Sequence, residues 1–142
     1  MTNDTAADVL QGYLDALVSG DLDRIRAHFA ADATWTIHGS LPLAGTYEGA
    51  DAIMEFLATA TRDLFVPGTH ALSFGRMHAD GDTVVLEWNV TGVGAATNLP
   101  YDNDYCGIFV IRDQLVQSVR EFLDTDHVRE VLYAGERRAL VS

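Results

Sequence analysis

The sequence predicts an α+β fold: a strongly curved, mostly antiparallel sheet, cone-shaped overall, that wraps around three helices from the early part of the chain. Three observations carry this expectation. Apolar residues recur at three- and four-residue intervals through the first third, the period of an amphipathic helix. From Ala33 they alternate with polar residues, the period of a strand. Asp80-Gly81 and Arg112-Asp113 then fall between apolar runs, where hairpin turns belong. A cone of this kind has an open mouth, and such a mouth is a natural apolar pocket.

Each element has its own signal. Thr5 and Asp8 have capping-box spacing, and Val9, Leu10, Tyr13, Leu14, Leu17 and Val18 follow at helical intervals. Gly20 ends that helix and Asp21 caps a second, which carries Leu22, Ile25 and Phe29 on one side. Trp35 and Ile37 alternate with Thr34, Thr36 and His38 in a short strand ending at Gly39. Ser40 to Glu48, with Pro42 and Gly45, reads as a loop. A third helix follows Gly49 with Ile53, Phe56, Leu57 and Leu64, and Pro67-Gly68 stops it. Strands are expected at His70 to Ala79, Thr83 to Val93, Asn103 to Ile111 and Leu115 to Leu123, and a last helix at Val128 to Leu132, capped near Asp124.

Composition bounds the function. The chain has 142 residues, 48% of them hydrophobic, with no repeat or Pro-rich linker, so one domain over 1–142 is expected. Nine arginines and no lysines face 21 acids, and a formal charge of −12 opposes nucleic acid and anionic lipid. No apolar run reaches the roughly 18 residues of a membrane span, and the acidic start lacks the order of a signal peptide, so a cytoplasmic location is expected. The single cysteine, Cys106, reads as a small buried hydrophobe. His28, His38, His70, His78 and His127 show no HxH or HExxH spacing, so no metal is expected. There is also no GxGxxG, P-loop or GxSxG, and no cofactor is expected.

Glu121 is the strongest lead to chemistry. It lies between Val119 and Leu123 on one face of the last strand, and burial there raises a carboxyl pKa toward neutrality. The bland alternative is a surface carboxylate paired with Arg120. Alternation gives Asn103, Tyr105, Gly107 and Phe109 a common face on the strand before it, without saying which side of the sheet that is. Gly107 among bulky neighbours makes room for a ligand or marks a bulge. His38 and His70 titrate near neutrality and read first as strand-end or hairpin residues wetted by solvent.

Several stretches resemble the ketosteroid isomerase and SnoaL-like branch of the nuclear transport factor 2-like superfamily. They are Tyr13-Leu14-Asp15-Ala16-Leu17, Gly20-Asp21-Leu22-Asp23, His28 to Thr34, Tyr47 to Ile53, Tyr105 to Val110 and Arg120 to Asp124, so the resemblance covers nearly the whole chain. It implies the cone-shaped α+β fold, a homodimer and a small apolar ligand. Tyr13 matches the first-helix tyrosine that holds the oxyanion in the isomerases. Their aspartate base falls on Ile37, and their protonated aspartate falls near Tyr105 to Gly107, where there is no carboxylate, so steroid isomerisation itself is not expected. Glu121 matches the last-strand aspartate of limonene epoxide hydrolases, whose Arg-x-Asp element falls on Trp88-Asn89-Val90. The resemblance to SnoaL-like cyclases implies Asn103 as orienting donor, Tyr105 with Tyr13 as oxyanion donors and Glu121 as proton carrier. Trp35, Ile37, His38, Trp88 and Leu123 are the implied substrate wall. Two readings stand: a cofactor-free acid/base enzyme acting on a cyclic ketone, polyketide or terpenoid, or a non-catalytic binding or dimeric module.

Overall fold

The computed structural model describes residues 4–136, in which four helices and six strands form a single curved sheet with helices on its concave side. Helix α1 (Ala6–Ser19) opens on the anticipated capping box: the Thr5 hydroxyl accepts from the Asp8 N–H, and the Asp8 carboxylate accepts from the Thr5 N–H. Gly20 closes it at φ 72°, a left-handed position that a residue with a Cβ adopts only at a cost. Helix α2 (Leu22–Arg26) starts at the Asp21 cap but lasts only five residues. Of its expected apolar face, Ile25 is buried, Leu22 is exposed, and Phe29 belongs to the next strand.

Strand β1 (Phe29–Ile37) therefore begins four residues before the alternation becomes readable, because two successive exposed residues, Ala31 and Asp32, interrupt the pattern. The supposed loop before the third helix contains a short edge strand, β2 (Gly45–Glu48), paired antiparallel to β1. Helix α3 (Ala50–Arg62) ends at Asp63, so Leu64 lies outside it. Strands β3 (Ala71–Asp80), β4 (Thr83–Val93), β5 (Pro100–Arg112) and β6 (Leu115–Leu123) follow as a meander. The last hairpin turns on Asp113 and Gln114, one residue later than expected, with φ of 55° and 63°. Positive φ at both positions is the mark of the tight turn whose twist suits a hairpin. Helix α4 (Thr125–Leu132) is capped by Asp124, which accepts from the Asp126 and His127 N–H groups.

The strand order is β2-β1-β6-β5-β4-β3, with β1 parallel to β6 and every other pair antiparallel. The sheet does not close, since β2 and β3 remain its edges. Register shifts at Phe29/Thr34, Phe74/Met77 and Val110/Ile111 bend it. Helix α1 lies across β3, β4 and β5, whereas α3 covers β1 and β2 and α4 packs on β5. Two apolar clusters result. The larger joins Leu10, Tyr13, Trp35, Ile53, Phe109 and Val119, and the smaller joins Leu41, Phe65, Tyr101, Val128 and Leu132 beneath α4.

Candidate active site

The two apolar clusters leave a cavity of about 150 Å³ between them. Helix α1 supplies Tyr13, Leu14 and Leu17 to its wall, and α3 supplies Phe56, Leu57, Ala60 and Thr61. From the sheet come Trp35, Leu86, Trp88, Tyr105, Phe109 and Leu123. The ring faces interlock: Trp35 meets Phe109 edge-on at 6.0 Å and Phe56 at 5.7 Å, and Trp88 stacks on Tyr105 at 5.3 Å. The lining is overwhelmingly apolar, with a few polar groups that can fix a ligand's orientation.

Glu121 is one of those polar groups and is only 6% exposed. Its strand neighbours explain why it stands alone. In the sheet Glu121 lies beside Ile37 of β1 and Gly107 of β5, neither of which offers a polar side chain. Among the described residues the carboxyl makes no hydrogen bond or ion pair, and Arg120, on the opposite face of β6, is exposed. Desolvation therefore acts unopposed and pushes the Glu121 pKa up to about 8. At neutral pH the group is mostly a neutral acid, able both to give a proton and, once ionised, to take one.

Gly107 is the residue that makes this arrangement fit. A Cβ there would sit 2.8 Å from Trp88 Cζ3 and 2.9 Å from Phe109 Cε1, so the missing side chain is replaced by the Trp88 ring. The room left by this glycine is thus filled by protein.

Two tyrosines share the cavity wall with the carboxyl. Tyr13 is buried against Phe29 and Phe109, and both burial and the Glu121 charge raise its pKa. Tyr105 is likewise raised, by burial first and then by Tyr101. Its Oη lies 2.6 Å from that of Tyr101, a residue sequence reasoning passed over. Burial pushes Tyr101 up to about 12, against the lowering influence of its hydrogen bonds to Tyr105 and Asn103. An aromatic spaced four residues from Tyr105 on one strand face was the available signal.

The expected site residues separate into two groups. Glu121, Tyr13, Tyr105, Trp35, Trp88 and Leu123 meet around the cavity. Asn103 is buried on the same face of β5 but stops short of the wall, its amide donating to Tyr101 Oη at 2.9 Å and to the Asp124 carbonyl at 3.1 Å. Ile37 packs in the larger core beside Glu121 without lining the cavity. His38 is exposed, stacked on Phe122 at 5.0 Å on the opposite face of β6. His70, expected in solvent, instead half-buries in the wall, edge-on to Phe65 at 4.9 Å, and burial lowers its pKa. The indole N–H of Trp35 is buried without a partner among the described residues. No group of His, Cys, Asp and Glu among the described residues is arranged to hold a metal ion, and no helix there is long and apolar enough to cross a membrane.

Known proteins share this architecture. An NTF2-like protein from Burkholderia xenovorans LB400 superposes with a TM-score of 0.76 at 26% identity, over 91% of this chain and 98% of that one. A putative SnoaL-like polyketide cyclase from Jannaschia sp. CCS1 gives 0.76 at 17% identity, over 94% and 97%. A protein of ketosteroid isomerase-like fold from Catenulispora acidiphila, solved in complex with trimethylamine, gives 0.71 at 17% identity, over 89% and 92%. Comparison with curated protein sequences returns no match. The family model described as the SnoaL-like domain matches residues 10–119, a span that runs from α1 into β6 and stops short of Glu121, and the chain therefore belongs to the SnoaL-like domain family.

Proposed function

We propose that this protein is a cofactor-free acid/base enzyme of isomerase, cyclase or hydrolase type, acting on a small apolar molecule with a cyclic ketone, polyketide or terpenoid-like skeleton. The observation that carries the reading is Glu121, a buried, unpartnered carboxyl in an apolar cavity with its pKa pushed up to about 8. In this reading Glu121 moves a proton at a carbon or oxygen of the substrate, while Tyr13 and Tyr105 donate to the oxygen on which charge develops. Trp35, Trp88 and Leu123 hold the ring between them. Cavity size narrows the substrate: an apolar cavity of about 150 Å³ in another protein admits benzene, so one ring would be buried in the comparable space here, with any further skeleton at the mouth.

Hydrogen exchange tests this without knowledge of the natural product. Cyclohex-2-enone and related ketones incubated with the protein in D2O should gain deuterium next to the carbonyl, and Glu121→Gln should slow this by about 10²-fold or more. Equal exchange in the variant removes Glu121 from the chemistry.

A second reading, a non-catalytic binder of a small ammonium ion, is favoured by one observation. The walls set Trp35, Phe56, Trp88 and Phe109 around a carboxyl in a chain of formal charge −12, a surrounding that suits a cation. The Catenulispora protein's complex with trimethylamine supports it by analogy. Here the unaltered protein would bind trimethylammonium and Glu121→Gln would abolish that binding, whereas the enzyme reading predicts deuterium exchange into a ketone that Glu121→Gln slows. In either case we propose a homodimer through the outer sheet face, where Phe122 is 40% exposed. A monomeric mass in solution removes that assembly.

A further inference from the structure

The buried polar chain on β5 has a direction. The side chain of Asn103 lies 3.1 Å from the Asp124 carbonyl oxygen. A carbonyl only accepts, so the atom facing it is the amide nitrogen, which resolves the usual ambiguity between the two ends of an asparagine. The same nitrogen lies 2.9 Å from Tyr101 Oη and, with no lone pair to offer, donates there as well. Tyr101 Oη therefore accepts from Asn103, and its own proton needs an acceptor.

The hydrogen-bond partner left to Tyr101 among the described residues is Tyr105 Oη, at 2.6 Å. Reversing that bond would leave the Tyr101 proton unpaired on a side chain that is 1% exposed, and buried donors are rarely left so. Tyr105 Oη consequently accepts, which frees its own proton. Of the three residues only Tyr105 lines the cavity.

We propose that Asn103 is a positioning residue that directs this chain from Asn103 through Tyr101 to Tyr105, so that Tyr105 presents its hydroxyl proton to an acceptor oxygen of the bound molecule. Consecutive hydrogen bonds running one way polarise each other, so Tyr105 donates more strongly than an isolated phenol. The ligand class that uses such a donor carries a carbonyl or enolate oxygen. An ammonium ion has no lone pair for it. The role toward a ligand rests on the small-molecule reading given above, whereas the direction of the chain does not.

Tyrosine labelled with carbon-13 at Cζ reads the direction without a ligand. In an equal mixture of H2O and D2O, a hydroxyl whose proton exchanges slowly splits its Cζ signal into two lines, and a fast one gives a single averaged line. Tyr101→Phe and Tyr105→Phe assign the signals. Two lines are expected for Tyr101, whose proton bridges the pair, and one for Tyr105. In Asn103→Asp an aspartate oxygen accepts the Tyr101 proton, Tyr105 donates the bridging proton, and Tyr105 should split into two lines as well. Two lines for Tyr105 or one for Tyr101 in the unaltered protein overturns the proposal, whether or not Asn103→Asp folds.

A bound probe reads the consequence. The carbonyl carbon of cyclohex-2-enone should move downfield on binding, lose more than half of that shift in Asn103→Asp, and regain it in Asn103→Asp/Tyr101→Phe, where the reversed chain is cut. A merely structural Asn103 predicts no such recovery, and its absence overturns the proposed role. Failure of the ketone to bind the unaltered protein, with Tyr101 split as expected, sinks the small-molecule reading and with it the role of Tyr105 toward a ligand, but leaves the chain direction standing.

Discussion

Glu121→Gln should gain stability relative to the unaltered protein as pH rises. Burial raises the Glu121 pKa from the ordinary 4.5 to about 8. Below the lower value the carboxyl is protonated in both the folded and the unfolded chain and contributes nothing. Between the two values the unfolded chain ionises while the folded one holds its proton, so stability falls as pH rises. Above the upper value both are ionised and the penalty stays constant. At about 1.4 kcal/mol per pH unit, the loss is about 3 kcal/mol at pH 7 and levels off near about 5 kcal/mol above pH 8. A glutamine carries none of it, because it does not ionise. Its different cost of burial moves the whole curve by a constant. Urea unfolding of both proteins at pH 5, 7 and 9 measures this, and the difference in stability should widen by about 4 kcal/mol across the series. A difference that stays flat with pH would mean that Glu121 titrates as an ordinary carboxyl. The desolvation argument, and the acid/base chemistry built on it, would then fall together.

Three further outcomes follow from packing and capping. Gly107→Ala places a methyl 2.8 Å from Trp88 and should cost about 1–3 kcal/mol in urea unfolding while changing the tryptophan fluorescence, because the ring must leave its seat. Gly94→Ala brings a methyl onto the Val131 backbone carbonyl, which cannot turn aside as a side chain can, so its loss of stability should exceed that of Gly107→Ala. Asp124→Ala removes the acceptor for the Asp126 and His127 N–H groups and should cost about 1 kcal/mol, seen as a lower urea midpoint, with protection from hydrogen exchange lost first in α4.

Local signals were legible where the governing contacts lie within a few residues. Thr5 with Asp8, Gly20 and Asp124 marked helix ends because a cap is a bond between near neighbours. The limits of β4 and β6 were read to the residue, since apolar, β-branched runs bounded by turn residues define them. Reading failed at β1, β2 and the start of β5. There an exposed pair broke the alternation, an edge strand was too short to show a period, and Pro100 stood where a strand is seldom expected.

The candidate site divides in the same way. Alternation by itself placed Glu121 with Val119 and Leu123, and Asn103 with Tyr105, because successive side chains on a strand must point to opposite faces. Only the tertiary structure decided that both faces look inward, that Tyr13 arrives from α1 to meet them, and that His70 joins the wall while His38 does not. It also decided that Ile37 and Gly107 flank Glu121 and leave its carboxyl without a partner. Whether an acid is neutral or charged depends on what its neighbours across the sheet offer, and those neighbours are set by strand register and helix packing between segments far apart in the chain.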